Sequence, residues 1–464
     1  MEAAGGGRQA LPGLAGRLLS GGAWVLAGKV FIAGSGLLSG ALLARLLTPR
    51  ELGAYFLVYS VVLFGSMLGS LGLQGAATRL VAHNLGLGLP GRARFVVRIS
   101  LALGALGALG AGAAYLALCG PLAGLFGAPA LAASGGLVAG WIAVSVVQGL
   151  VGEVFRGLGD VRLATLLGGQ VTGTVTGVLT VGLLVLGLGL LWLLRGEADL
   201  ATVLALAVCA GASTTLLSGW LLGRRMSRLS GRRSGGGELP PVFGEVVATA
   251  WPLLVTNLVL FALRNGDIWL LGAFGSREEV AVYGAATRLI SMVTMPLIVA
   301  NAVLPPVIAG MYAREEGREE LERTVRATSA VTGLPALAAS AACVLFAAPL
   351  LGLVYGDYYR AGAGALAVLS LGQLVSVWTG SCGLALQMTG HQRTMMAVSV
   401  GTGAATLAAM FALVVPYGVA GVVAARVSGL VLQNLLLWLA ARYRTGMWTH
   451  AGFGALLRSA RRWG

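Results

Sequence analysis

Apolar stretches broken by short polar or arginine-bearing turns recur along the whole chain. A helix needs about 20 mainly apolar residues to cross a bilayer. On that measure the pattern predicts spans at 23–45, 52–73, 95–118, 128–154, 163–188, 200–223, 246–272, 281–312, 328–351, 363–387, 395–415 and 419–441. The expected fold is all-α, a polytopic membrane protein of about twelve transmembrane helices. Two spans are irregular. The apolar run 163–194 is overlong, and 281–312 carries Pro296 and Pro305-Pro306, which must kink or interrupt it.

Composition sharpens this reading. Of 464 residues, 57% are hydrophobic and 11% charged, and mean hydropathy is +0.86. Soluble domains carry roughly 25% charged residues, so water does not solvate most of this surface. The 73 glycines include small-xxx-small pairs such as Gly36/Gly40, Gly65/Gly69 and Gly169/Gly173/Gly177, which let helix backbones approach in lipid.

The net charge of +15 raises the possibility of a nucleic-acid partner, but its placement argues for topology instead. With the N-terminus inside, 23 of the 32 Lys and Arg residues fall in inner segments. Only Arg45, Arg50, Arg195, Arg277 and Arg360 fall outside. The bias predicts cytoplasmic N- and C-termini. It divides the chain into a tail (1–22), an N-lobe (23–223), a basic linker (224–245), a C-lobe (246–441) and a second basic tail (442–464). No removable signal peptide is read at the start. The arginines at 224–233 suit a stop-transfer loop, or a grip on anionic membrane lipids. Cys119, Cys209, Cys343 and Cys382 form no CxxC pair, so neither a disulfide framework nor a zinc site is indicated.

Five charges sit well inside the spans, away from their ends: Lys29, Arg264, Asp267, Arg288 and Arg426. A cation in hydrocarbon costs at least a few kcal/mol, so such a group normally faces a bundle interior or a wet cavity. Four cations against one acid suggest a cavity for an anionic ligand, and the arginine fork suits phosphate. Other readings stay open. Arg264 and Asp267, three residues apart on one face, can neutralise each other. Lys29 can snorkel, and Arg288 and Arg426 can tie off backbone carbonyls at kinks. Glu153 reads as an interfacial residue. Gln148, Gln170, Asn257, Gln373, Gln387 and Asn434 read as interhelical or sugar-facing groups.

The halves resemble each other. Leu43–Tyr55 (LARLLTPRELGAY) aligns without gaps to Leu271–Tyr283 (LGAFGSREEVAVY). Thr48/Glu51 and Ser276/Glu279 each predict a capping box opening the second helix of its half. Phe155–Arg162 (FRGLGDVR) matches Leu386–Arg393 (LQMTGHQR) at the turn after each fourth helix. The offsets are 228 and 231 residues. Two copies of six helices share one orientation, which predicts two lobes around a central cavity and alternating access by rocking.

The segments Leu42–Tyr59, Phe155–Asp160, Asp267–Leu289 and Met388–Arg393 leading to Pro416-Tyr417-Gly418 resemble the multidrug/oligosaccharidyl-lipid/polysaccharide flippase superfamily. Within it they are most similar to the polysaccharide-transporter branch with the O-antigen-type flippases. The resemblance implies a MATE-like two-lobe protein of a bacterial or archaeal cytoplasmic membrane. It implies a flippase for an undecaprenyl-diphosphate-linked glycan, possible contact with glycan polymerase machinery, and no resident cofactor beyond a coupling ion.

Rival functions make different demands. A multidrug exporter of organic cations would want acidic cavity residues. A lipid II flippase shares the diphosphate chemistry, and fourteen spans would favour it. A glycosyltransferase or polymerase needs carboxylates on sizeable external loops, where only Glu197 and Asp199 lie close together. No P-loop glycine-lysine motif is present. The expectation is a non-enzyme without a metal site or nucleic-acid partner.

Overall fold

The computed structural model describes residues 11–168, 177–230, 242–312 and 318–452, and the backbone there is almost wholly helical. The chain divides into two compact units. The first comprises Met1–Ser39, Val58–Ala123 and Pro129–Phe261, and the second Gly40–Leu57, Gly124–Ala128 and Ala262–Gly464.

In chain order the helices are α1 (Leu11–Leu46), α2 (Pro49–Gly69), α3 (Leu73–Gly86), α4 (Pro90–Leu125), α5 (Ala130–Ala133), α6 (Gly135–Gly157), α7 (Val161–Leu167), α8 (Val178–Arg195) and α9 (Leu200–Ser230). There follow α10 (Val242–Phe274), α11 (Arg277–Tyr312), α12 (Arg318–Leu345), α13 (Ala347–Tyr355), a 3-10 turn (Asp357–Gly362), α14 (Ala363–Thr379), α15 (Cys382–Met388) and α16 (Gln392–Thr445). Among the described residues nine helices are long and apolar enough to cross a membrane.

That figure counts α16 once, although it is a doubled element. Its 54 residues contain one non-helical position, Gly418, at φ 54° and ψ −133°. A side chain at Gly421 would meet the Leu413 carbonyl, and one at Gly429 would meet Thr406. Residues at similar separations on either side of Gly418 therefore face each other, and α16 is an antiparallel hairpin with almost no loop. Its arms carry the expected spans 395–415 and 419–441.

The overlong run 163–194 is interrupted rather than continuous. α7 stops at Leu167 and α8 begins at Val178. Gly168 and Gly177 nevertheless touch, so tightly that a Cβ on Gly177 would strike the Gly168 nitrogen. Gln148 of α6 donates to the Leu167 carbonyl at 2.9 Å and also bonds Thr180, joining the two sides of the break. Elsewhere helices run past their expected ends: α1 begins at Leu11 and α9 continues to Ser230.

Local geometry repeats where the sequence repeats. At the start of α2 the Thr48 nitrogen donates to Glu51 Oε2 at 3.0 Å, and the Glu51 nitrogen donates back to Thr48 Oγ1 at 3.3 Å. At the start of α11 the same pair of bonds joins Ser276 and Glu279 at 2.7 and 3.1 Å. Both boxes satisfy helix-start donors reciprocally. After α6 and α15, Gly159 and Gly390 adopt φ 82° and 85°. The following nitrogens, of Asp160 and His391, donate five residues back to Phe155 and Leu386 at 2.9 and 2.8 Å. This is the Schellman closure with a left-handed glycine, twice over.

In unit one a core of Leu73, Ala77, Val81, Val97, Leu150, Val154 and Phe155 packs α3 and α4 on α6. Glu153, four residues before the end of α6, is buried. It accepts from Thr78 Oγ1 at 2.8 Å and lies 3.4 Å from Arg156. A buried carboxylate needs such donors and a cation to offset its desolvation.

Candidate functional site

The intramembrane charges of unit two are ordered by its helix turns. α10 and α11 are joined by Gly275-Ser276. Asp267 lies seven residues before the end of α10, and Tyr283 six residues after the start of α11. At 1.5 Å per residue both are about 10 Å from that turn, so antiparallel neighbours bring them level. Arg426 lies eight residues beyond the α16 reversal, about 12 Å along its second arm. That reversal sits beside the α11 start, because a side chain on Gly418 would approach Glu279 Oε1 to 3.5 Å.

The three side chains meet. Tyr283 donates its hydroxyl to Asp267 Oδ2 at 2.5 Å, and Arg426 Nη1 donates to the Tyr283 oxygen at 3.0 Å. Arg426 Nη1 also forms an ion pair with Asp267 Oδ2. Asp267 and Tyr283 are buried, whereas the Arg426 side chain keeps 33% of its exposure. One carboxylate oxygen thus holds a phenol and a guanidinium together. The arginine is oriented by the acid, and the acid is kept out of hydrocarbon.

This pairing corrects one expectation. Arg264 is three residues from Asp267 on α10, yet it does not neutralise it; Arg426 does. Arg264 is exposed, ten residues or about 15 Å before the end of α10, and makes no hydrogen bond or ion pair among the described residues. Spacing along one helix could not reveal this, because the competing partner comes from a helix about 160 residues away in sequence.

Arg288 lies five residues beyond Tyr283, turned about 140° around α11. Its guanidinium sits over the Phe56 ring at 4.7 Å, a cation–π contact. Gly40 of α1 lies beside it: a Cβ there would lie 3.4 Å from Arg288 Cδ, an ordinary contact, and a tighter 3.2 Å from the Tyr355 hydroxyl. Lys29 lies on α1, and its side chain is outside the described residues, as is Gln170. Of the other expected polar groups, Gln148 is interhelical, and Asn434 donates to Leu430 of its own helix.

The structure therefore joins Asp267 to Arg426, leaves Arg264 apart, and sets Arg288 on an aromatic face. Tyr283 was missed as a site residue. Its only sequence signal was its alignment with Tyr55 behind a capping box. Among the described residues no cluster of three His, Cys, Asp or Glu side chains could hold a metal ion.

An all-helical chain with apolar spans, interrupted and doubled membrane helices and buried charge pairs is a multi-pass membrane protein, and its fold is that of the MATE transporters of the MOP superfamily. An inward-facing multidrug resistance MATE transporter of that superfamily has a TM-score of 0.72 at 18% identity, covering 89% of this chain and 94% of its own. A MOP superfamily transporter from Pyrococcus furiosus, described by a binding pocket of reversed polarity, gives 0.58 at 17% identity over 93% and 95%. The Vibrio cholerae MATE transporter VcmN, solved as an aspartate-to-asparagine mutant, gives 0.61 at 17% identity over 93% and 97%. The family model of the polysaccharide biosynthesis proteins matches residues 18–312, well over half of the chain, and the protein belongs to that family. No curated protein sequence matches it.

Proposed function

We propose that this protein is a flippase that carries a lipid-diphosphate-linked oligosaccharide, of the undecaprenyl type, from the inner to the outer leaflet of a cytoplasmic membrane. The observation that carries the reading is Arg264. It is exposed about 15 Å along α10 from the nearer helix end, with no polar partner among the described residues. Hydrocarbon around such a cation would cost several kcal/mol, so the position calls for water or an anionic ligand. Arg288, half-buried on Phe56, adds a second cation suited to phosphate oxygens. Membership of the polysaccharide biosynthesis family supports a glycan as the remainder of the substrate.

The energetics run in the right direction. A cell interior is negative, and one charge crossing 100 mV is worth about 2.3 kcal/mol, so an anionic diphosphate moves outward downhill. The membrane potential or a coupled ion then drives transport. The arginine-bearing end of α9 is placed on the inner face, where it contacts anionic lipids. A glycan polymerase would receive the product on the other side.

The test is flipping of a fluorescent undecaprenyl-diphosphate oligosaccharide in proteoliposomes. The expected result is an outward rate that rises with an inside-negative potential and falls in Arg264→Gln. Efflux of an organic cation instead, with no flipping, would overturn the reading in favour of a drug exporter.

A further inference from the structure

The chain beyond α16 turns back on unit two. Residues Met447–Gly452 form a strap across the ends of α12, α14 and α16. Thr449 donates to the Thr379 carbonyl at 2.8 Å, and Ser329 donates to the Thr449 carbonyl at 2.9 Å. The Ala451 and Gly452 nitrogens donate to Trp378 and Arg326 carbonyls at 2.9 and 3.4 Å. At its centre His450 stacks on Trp378, with ring centroids 5.4 Å apart, and meets Trp438 and Trp448 edge-on.

The hydrogen bonds of His450 contain a conflict. Trp438 Nε1 donates to His450 Nδ1 at 3.3 Å, and Arg326 Nη2 lies 3.3 Å from Nε2. Indole and guanidinium groups can only donate, and a neutral imidazole has one acceptor nitrogen. Neutral His450 therefore satisfies one neighbour. Protonated His450 satisfies neither and sets a second cation against Arg326.

We infer that His450 is a proton-operated latch, holding the C-terminal strap onto α12, α14 and α16 when neutral and loosening it when protonated. The charged neighbours described around it are mostly cationic. From α12 come Arg326 and Glu322, 3.4 Å apart. From α16 comes Arg442, over Trp448 at 5.0 Å. Of these only Glu322 favours the imidazolium, and Arg326 already claims it. Burial, with Arg326 beside it, holds the imidazole below its usual value, and Glu322 opposes the shift. The folded protein thus binds this proton more weakly than the unfolded chain. The latch is complete above the ordinary histidine pKa and is lost as pH falls below it towards the depressed folded value. The inference does not depend on the transported substrate.

Hydrogen exchange of the full-length protein in nanodiscs tests it, with rates corrected for intrinsic pH dependence. Between pH of about 7.5 and about 5.5, protection at Ala451 and Gly452 is expected to fall about fivefold, the worth of one net hydrogen bond. His450→Phe keeps the ring stacking and removes both nitrogens, so its protection is expected to be low and independent of pH. His450→Gln, which retains an acceptor without titrating, should stay protected at both values and serves if the phenylalanine variant fails to fold. The same fall in either variant, or no fall in the unaltered protein, overturns the latch.

Discussion

The Tyr283 hydroxyl reaches Asp267 at 2.5 Å while Arg426 donates to that same hydroxyl at 3.0 Å. A carboxylate, a phenol and a guanidinium from three helices thus form one closed polar unit inside an apolar bundle. Removing one member strands the others. Asp267→Asn is expected to cost about 3 kcal/mol, because a partly buried guanidinium loses its counter-charge. The neutral pair Asp267→Asn with Arg426→Gln should regain much of that loss. Thermal unfolding of both single variants and the double in detergent measures the difference, and a double-variant loss equal to the sum of the single losses would mean the pair is uncoupled.

Arg264 and Arg426 should separate by what they disturb. Arg264→Gln touches no described polar partner, so its thermal midpoint should hold while flipping falls about tenfold, the loss of one charge-assisted hydrogen bond to substrate. Arg426→Gln should lower both. Parallel stability and flipping measurements decide this, and unchanged flipping in Arg264→Gln would remove that residue from the transport path.

The capping boxes predict matched effects at two helix starts far apart in sequence. Glu51→Ala and Glu279→Ala each remove the acceptor for a helix-start nitrogen, at a cost of about 1 kcal/mol apiece. Denaturation midpoints of the single and double variants measure these losses, and a departure from additivity would report the contact between the two helix starts. The matching glutamine variants should lose less, because an amide oxygen still accepts.

Glycines divide by what lies beside them. A Cβ on Gly53 would collide with the Arg277 carbonyl oxygen, so the start of α2 rides directly on the backbone at the start of α11. Gly53→Ala is expected to destabilise by about 1–3 kcal/mol through overpacking. Gly110, in the middle of α4, has open space around it. There Gly110→Ala should stabilise by about 0.5–1 kcal/mol by restricting the unfolded chain. Paired thermal unfolding measurements check the opposite signs.

Much of this architecture was legible because it depends on local chemistry. Thr48/Glu51 and Ser276/Glu279 declare helix starts by spacing alone, and both boxes form. The second repeat was visible through Gly159 and Gly390, each at the left-handed position that closes a helix. The break between Leu167 and Val178 was visible only as an overlong run, since apolar length says nothing about where backbone bonds lapse. The burial of Glu153 was hidden because its partner Thr78 lies 75 residues away and carries no charge to announce it. The same limit hid the choice Asp267 makes. Sequence spacing offers Arg264, while folding delivers Arg426 from the far arm of a hairpin.

That hairpin has a mechanical corollary. A reversal made at Gly418 alone, without spare loop, leaves no slack for one arm of α16 to slide past the other. Arg426 is therefore fixed in depth by its covalent tether as well as by Asp267. Motion that repositions this cation must carry both arms as a single stiff lever, or unlock the acid that holds it.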